Sequence, residues 1–219
     1  MVPRTILILA DGAWPQPERV APLVTDADTV LAANGGWRKA RDRGIAVDRV
    51  LGDLDSLDEE TRRDMDAAGV KVERHPARKD WTDLEIALEH ALHAGAKRIH
   101  VVGALGGRLD HALANLLLME KAVRRDADVV LHGPRERVYL VRRHLVLQDV
   151  AVRDGVSLLP LSERVEGIRT AGLGYPLVGE TLERSAARGV SNEVVRVPVE
   201  ITVGSGLLWV VHAHGTDTL

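Results

Sequence analysis

No cysteine occurs among the 219 residues. That absence removes disulfides, thiol nucleophiles and thiolate metal sites, and leaves an intracellular, cytoplasmic location as the expectation. Phenylalanine is also absent, a compositional bias from which no function follows. Long apolar runs are lacking too. The first, residues 5–10, is ended by Asp11 and is too short for a signal-peptide core or a membrane span. Nor is there a basic excess: with a net charge of -3 and a pI near 6.3, neither a nucleic acid nor an anionic membrane is an expected partner. No low-complexity tract or long-period repeat stands out. What is present is ample apolar material, 45% of residues, enough for one ordinary domain and a smaller second one.

Residues 5–9 and 29–33 are continuous apolar runs bounded by Asp, Gly and Pro, the pattern of strands buried on both faces. Further strands are predicted over 47–51, 70–74, 98–102 and 129–132. Helices are predicted over 18–24, 37–43, 58–68, 82–94 and 110–124. Thr82 and Glu85 form a capping-box pattern ahead of Leu84, Ala87, Leu88 and Ala91 on one helix face. In helix 110–124, Leu113, Leu116, Leu117 and Val123 are expected to point inward. Strand and helix alternate, which predicts a doubly wound, mainly parallel α/β domain over residues 1–133, with ligands beyond the carboxyl ends of the strands. From Gly133-Pro134 onward the pattern changes to short β-like runs at 138–141, 156–160, 164–170, 194–203 and 207–213, so residues 134–219 read as a small all-β domain. Gly204-Ser205-Gly206 is expected to be a hairpin turn between the last two strands, and Trp209 to pack within this domain.

Three clusters stand where a strand gives way to a helix. Gly52-Asp53-Leu54-Asp55-Ser56 sets two carboxylates two residues apart, able to converge on one hard cation; turn-forming and capping aspartates are the plain alternative. A phosphatase nucleophile loop of the haloacid dehalogenase type has a similar Asp-x-Asp, but there it follows the first strand, not the third. Arg78-Lys79-Asp80-Trp81-Thr82-Asp83 joins two cations, two carboxylates and a hydroxyl ahead of the strongest helix. Thr82 serves first as a cap and Asp83 first as a partner of the helix dipole. Asp80 and the Arg78-Lys79 pair are left over, which favours phosphate and metal binding. Gly106-Gly107-Arg108-Leu109-Asp110-His111 combines backbone freedom, a bidentate anion binder and a carboxylate placed to cap the next helix. Neither a Walker-type phosphate loop nor a protein-kinase pattern is present. His90 with His93, and His212 with His214, share faces but have no evident carboxylate partner at ligand spacing, so surface or edge positions are expected.

Together these clusters, with Lys79-Asp80-Trp81-Thr82-Asp83-Leu84 at the centre and Asn115 beyond, resemble the thiamine pyrophosphokinase family in order and spacing. The likeness continues in Val156-Ser157-Leu158-Leu159-Pro160-Leu161, in Thr170-Ala171-Gly172-Leu173-Gly174-Tyr175 and in Gly189-Val190-Ser191-Asn192-Glu193, so it covers nearly the whole chain. The resemblance implies a β-sandwich C-terminal domain, a homodimer with sites at the subunit interface, and transfer of the pyrophosphoryl group of ATP to the hydroxyl of thiamine with magnesium. It implies that Asp53, Asp55 and Asp83 serve the metal and phosphates, with Lys79, Asp80 and Thr82 beside them. Arg108 and Asp110 would complete the nucleotide and thiamine pocket, with Tyr175, Ser191 and Asn192 bordering thiamine. Asn34 stands where the family often has Asp before Gly-Gly, Leu54 where Phe is common and Gly174 where Lys is common. A pterin pyrophosphokinase and an inactive thiamine- or nucleotide-binding regulator are the rival readings.

Overall fold

The computed structural model describes residues 4–52, 59–74 and 81–215. Its first compact unit is Met1–Pro134 and its second Arg135–Leu219.

In the first unit the predicted strands are found as β1 (Thr5–Leu9) and β2 (Thr29–Ala33), the two continuous apolar runs, and as β3 (Arg49–Gly52), β4 (Lys71–Arg74), β5 (Arg98–Val102) and β6 (Asp128–His132). They form a parallel sheet in the order β6-β5-β1-β2-β3-β4. Ile6, Leu7, Ile8 and Leu9 of β1 are all fully buried. Each such side chain contributes about 1.5–3 kcal/mol by leaving water, so the central strand needs no polar alternation to be specified. The intervening helices are α1 (Pro17–Asp26), α2 (Gly36–Asp42), α3 (Glu59–Ala67), α4 (Asp83–His93) and α5 (Leu109–Arg124). Val20, Trp37, Ala40 and Met65, from α1, α2 and α3, close over Leu7, Leu9, Val30, Ala32 and Val50. α4 packs on the same strands with none of its residues in that cluster, so it covers the other face.

The Thr82 side chain accepts the Glu85 N–H at 3.2 Å, which fixes the start of α4, and Gly95 follows its end with a φ of 80°, the left-handed conformation that ends a helix without a Cβ clash. α5 departs from expectation. Its C-terminal half buries Met119, Ala122 and Val123, but Leu113 and Leu117 are 52% and 55% exposed and Leu109 is 72% exposed. The helical period identified an apolar stripe correctly, yet half of that stripe has no covering surface among the described residues. The helix also begins one residue earlier than predicted, with Arg108 as N-cap, so Asp110 lies inside the first turn and does not cap it.

The second unit contains β7 (Glu136–Val141), β8 (His144–Leu147), β9 (Gly155–Pro160), β10 (Arg164–Ala171), β11 (Val178–Glu183), β12 (Asn192–Glu193), β13 (Val199–Thr202) and β14 (Leu208–Ala213). They pair antiparallel as β12-β9-β14-β7 and β11-β10-β13-β8. Inward residues of both sheets, among them Val156, Leu158, Leu208 and Val210 from one and Val165, Ile168, Val199 and Ile201 from the other, share one core. This is a β-sandwich. β13 and β14 belong to different sheets, so Gly204-Ser205-Gly206 carries the chain between sheets and is not a hairpin turn. Along β14, Leu208, Val210 and His212 form the fully buried row. Trp209 alternates out of that row, and its indole N–H is buried with no partner among the described residues. Among the described residues no helix is long and apolar enough to cross a membrane.

Candidate active site

A cleft of about 830 Å³ opens in the first unit where β1, β2 and β5 end. Small residues bring those ends together. A Cβ on Gly36 would lie 2.1 Å from the Leu9 carbonyl oxygen, and one on Gly103 2.3 Å from that of Ala10, so the loops after β2 and β5 sit directly on the end of β1. Lys39 ties the β1 loop to α2 by donating to the carbonyls of Asp11 and Gly12, at 2.5 and 2.6 Å. The Asn115 amide donates to the Ala104 carbonyl at 2.8 Å and anchors the β5 loop to α5.

Asp83, the first residue of α4, is half-buried in the cleft wall, where the helix N-terminus favours its charge. One oxygen, Oδ2, accepts the Asn34 side-chain N–H at 3.1 Å. The other would lie 3.2 Å from a Cβ on Gly52, the residue before Asp53. Asn34 itself has a φ of 44°, a left-handed conformation that asparagine tolerates better than most residues. Thus the ends of β2 and β3 and the start of α4 meet at one carboxylate.

Across the cleft Arg108 forks on to Asp110, Nε to Oδ1 at 3.1 Å and Nη2 to Oδ2 at 2.6 Å. The hydrogen bond from Arg108 holds the Asp110 carboxyl below the ordinary range, and the same bond raises the guanidinium further. Both are largely exposed, the Arg108 side chain by 74%, so this pair is weakly held and open to exchange with another anion.

Of the sequence-predicted groups, Asn34, Thr82, Asp83 and Arg108 line this cleft, with Asp110 paired to Arg108. Asp53, Asp55, Lys79 and Asp80 lie outside the described residues. In the second unit Asn192 is buried, and its amide is used within the fold: Oδ1 accepts the N–H of Tyr175 at 3.0 Å and Nδ2 donates to the Tyr175 carbonyl at 2.7 Å. It therefore clamps the Tyr175 segment, leaving Tyr175 76% exposed. Ser191 is exposed beside it at a φ of 61°, and its N–H donates to the Ser157 hydroxyl at 3.0 Å.

Sequence reasoning missed Asp11, Arg38 and Trp81 as cleft residues. The signal was available for Asp11, since Asp11-Gly12 follows the first parallel strand, where such sheets bind ligands.

The histidine reading is corrected as well. The Nε2 of His212 lies 2.7 Å from Asp154, 58 residues away, and His90 and His93 approach Glu73 and Glu89. Asp154, His212 and His214 are grouped closely enough to be considered for a metal. However, Asp154 already accepts the N–H groups of Ala151 and Gly215 at 2.9 and 3.0 Å, and Arg137 donates to His214 at 3.1 Å. A guanidinium in contact with the group opposes a second cation, so it reads as a buried hydrogen-bonded network, in which His212 Nδ1 alone is left without a partner among the described residues.

The cleft at the strand ends, with a helix-terminal carboxylate on one wall and an exchangeable arginine on the other, places the molecule among α/β phosphate-transfer enzymes. Comparison makes the assignment particular. The family described as thiamin pyrophosphokinase, catalytic domain, matches residues 20–131, and the thiamin pyrophosphokinase, vitamin B1 binding domain, matches residues 143–208. The chain belongs to the thiamine pyrophosphokinase family. It is 28% identical over 211 residues to the thiamine pyrophosphokinase of Bacillus subtilis, covering 94% of this chain and 96% of that one. To thiamine pyrophosphokinase 1 of Arabidopsis thaliana it is 25% identical, covering 97% and 88%. The crystal structure of the Bacillus subtilis enzyme superposes with a TM-score of 0.84 at 25% identity, covering 96% and 99%.

Proposed function

We propose that, in moving the pyrophosphoryl group of ATP to the hydroxyl of thiamine, this protein binds the nucleotide phosphates in the cleft between Asp83 and Arg108. The observation that carries the reading is the pairing of Asp83, held by Asn34 at a helix start, with an arginine whose present partner is exposed and replaceable.

Magnesium fits the donors available, because the cleft offers the carboxylates of Asp11 and Asp83 and the amide oxygens of Asn34 and Asn115 and the chain has no thiol, and a hard cation takes oxygen ligands. We assign Asp53, Asp55 and Asp83 to hold it. When bound, it screens the phosphates and spreads the charge of the transferred group. The protein's own part is placement. Arg108 leaves Asp110 to fork on to phosphate oxygens, and we assign Lys79, Asp80 and Thr82 to serve the phosphates with it. The thiamine oxygen attacks the β-phosphorus in line, the bond from that phosphorus to the oxygen bridging it to the α-phosphate breaks, and AMP departs with that oxygen. The hydroxyl proton passes to a cleft carboxylate, Asp110 or Asp83. No nucleophile on the protein is needed, since positioning and electrostatics supply the rate.

We assign Tyr175 and Ser191 to border thiamine, with Asn192 fixing the Tyr175 segment. A homodimer with its sites at the subunit interface accounts for the uncovered Leu109, Leu113 and Leu117 on α5, and the proposed location is cytoplasmic.

The test is an assay with magnesium, ATP and either thiamine or a hydroxymethylpterin, the adenine nucleotides being separated afterwards. AMP rising in step with thiamine diphosphate is the expected result. ADP in place of AMP, product with the pterin alone, or binding without any product would overturn the reading.

A further inference from the structure

Trp81 sits in the middle of the motif that supplies Thr82 and Asp83, yet it neither caps, carries charge nor fills the core. It is 49% exposed and forms part of the cleft wall. Leaving so much indole surface in water forgoes burial worth about 25 cal/mol per Å², and within a binding cleft a ligand can recover that loss.

The ring is also held in place. The Lys121 ammonium lies 5.1 Å from its centroid, within cation–π range. Lys121 is in turn fixed by Glu85 at 2.5 Å and Glu89 at 3.4 Å, and burial of the Glu89 side chain to 10% exposure makes that anchor firm. The backbone immediately after Trp81 is pinned by the Thr82 cap. An oriented aromatic surface facing a cleft, with its other contacts already made, is how proteins present a stacking platform to a base.

We infer that Trp81 is the platform on which the adenine ring of ATP stacks. The inference rests on the cleft being the nucleotide site. Adenine is favoured over thiamine by the distribution of the aromatic side chains. The exposed aromatic of the second unit, Tyr175, is already assigned to thiamine, whereas among the described residues Trp81 is the one indole or phenyl ring that lines this cleft, the smaller imidazole of His111 being the other ring there.

The test compares wild type, Trp81→Phe and Trp81→Ala. In Trp81→Ala the KM for ATP and the Kd for AMP are expected to rise about ten-fold, within the range for losing one base–aromatic stack. The KM for thiamine, kcat and the Kd for inorganic triphosphate should stay within about two-fold, because only the base has lost a partner. Trp81→Phe, which keeps a ring, should recover most of the affinity. AMP should quench indole emission in wild type, and most of that quenching should vanish in Trp81→Phe. A rise in the KM for thiamine in place of that for ATP, an equal loss of triphosphate binding, or unchanged AMP affinity in both variants overturns the inference. Failure of wild type to bind AMP or ATP would instead sink the nucleotide reading of the cleft, so the two failures are distinguishable.

Discussion

In the α/β unit, Arg108 and Asp110 stand with 74% and 63% of their side chains exposed, whereas in the sandwich unit His212 and Asp154 lie 0% and 8% exposed at 2.7 Å from one another. The same kind of contact, a charged or polar pair at hydrogen-bond distance, means different things in the two places. The exposed pair adds little to stability and loses little by changing partner, which suits a group that must meet an incoming phosphate. The buried network has every Asp154 contact made within the fold, and removing a member strands a polar group out of water. Proximity of titratable groups is therefore a poor guide to a site. The exchangeability of the partner is a better one.

The largest expected effect breaks function and spares the fold. Asp83→Asn removes a charge at the meeting point of β2, β3 and α4 while keeping size and one oxygen. Turnover, followed as AMP release, should fall by about 10²–10³-fold, the scale of losing one preorganised electrostatic group. The thermal midpoint should scarcely move. Wild-type turnover in this variant would exclude Asp83 from the chemistry.

The converse variant is His212→Ala, which should cost about 2 kcal/mol of stability while leaving AMP binding in the α/β unit intact. Burial lowers the His212 pKa, and its bond to Asp154 only partly offsets this, so the neutral form with its proton on Nε2 is the folded one. The unfolded state then takes up a proton that the folded state refuses, and the sandwich should lose stability as pH falls below about 6.5, the ordinary histidine value. For Asp154, burial raises the pKa, but the Ala151 N–H, His212 and the Gly215 N–H together outweigh it and leave it lowered. That contribution is present above the ordinary aspartate range and is lost as pH falls through the depressed value. Urea unfolding by circular dichroism across pH should show both steps in wild type and only the lower in His212→Ala. An upper step that persists in the variant would assign it to another group.

A third region belongs to neither class. Leu113 is exposed without being polar, and Leu113→Glu should weaken self-association by about ten-fold or more, since a charge would be taken into an apolar contact. Light scattering over a dilution series reads this directly. Equal molar masses for variant and wild type at every concentration would show that this chain does not self-associate through α5.

How much of this was readable from the chain depends on the range of the interaction. β1 and β2 follow from their uninterrupted apolar runs, and the start of α4 from Thr82 and Glu85, because these depend on near neighbours. β8 and β11 are short or largely exposed, as Val178–Glu183 shows, and carry too little apolar alternation to be recognised. Local turn chemistry at Gly204-Ser205-Gly206 says that the chain bends, not which strand it bends toward. The period of α5 finds an apolar stripe but does not say whether this chain or another surface covers it. The partnership of Asp154 with His212 spans 58 residues and is fixed only by the register of β14. For the cleft, the motif order brought Asn34, Asp83 and Arg108 to notice. Trp81 was passed over because its neighbours carry the charge.

Asn34 gives the finest test of the comparison. Its amide donates to Asp83 at 3.1 Å, so a neutral group satisfies the carboxylate without adding charge to the cleft. Asn34→Asp replaces the donor by an acceptor. The backbone does not oppose this, because aspartate also tolerates a left-handed φ. Two carboxylates would then face each other at contact distance, a repulsion between about 1 kcal/mol, the bulk-water value, and about 4 kcal/mol, the value near a protein surface. The variant should melt a few degrees below wild type in chelator, and added magnesium should raise its midpoint more than it raises that of wild type, since a third oxygen anion favours a hard cation. The half-saturating magnesium concentration should fall by a few-fold. In a buried network such as that of Asp154, an added carboxylate would simply destabilise. If magnesium fails to restore Asn34→Asp, then the cleft behaves as the sandwich does, and Asp83 belongs with the structural charges.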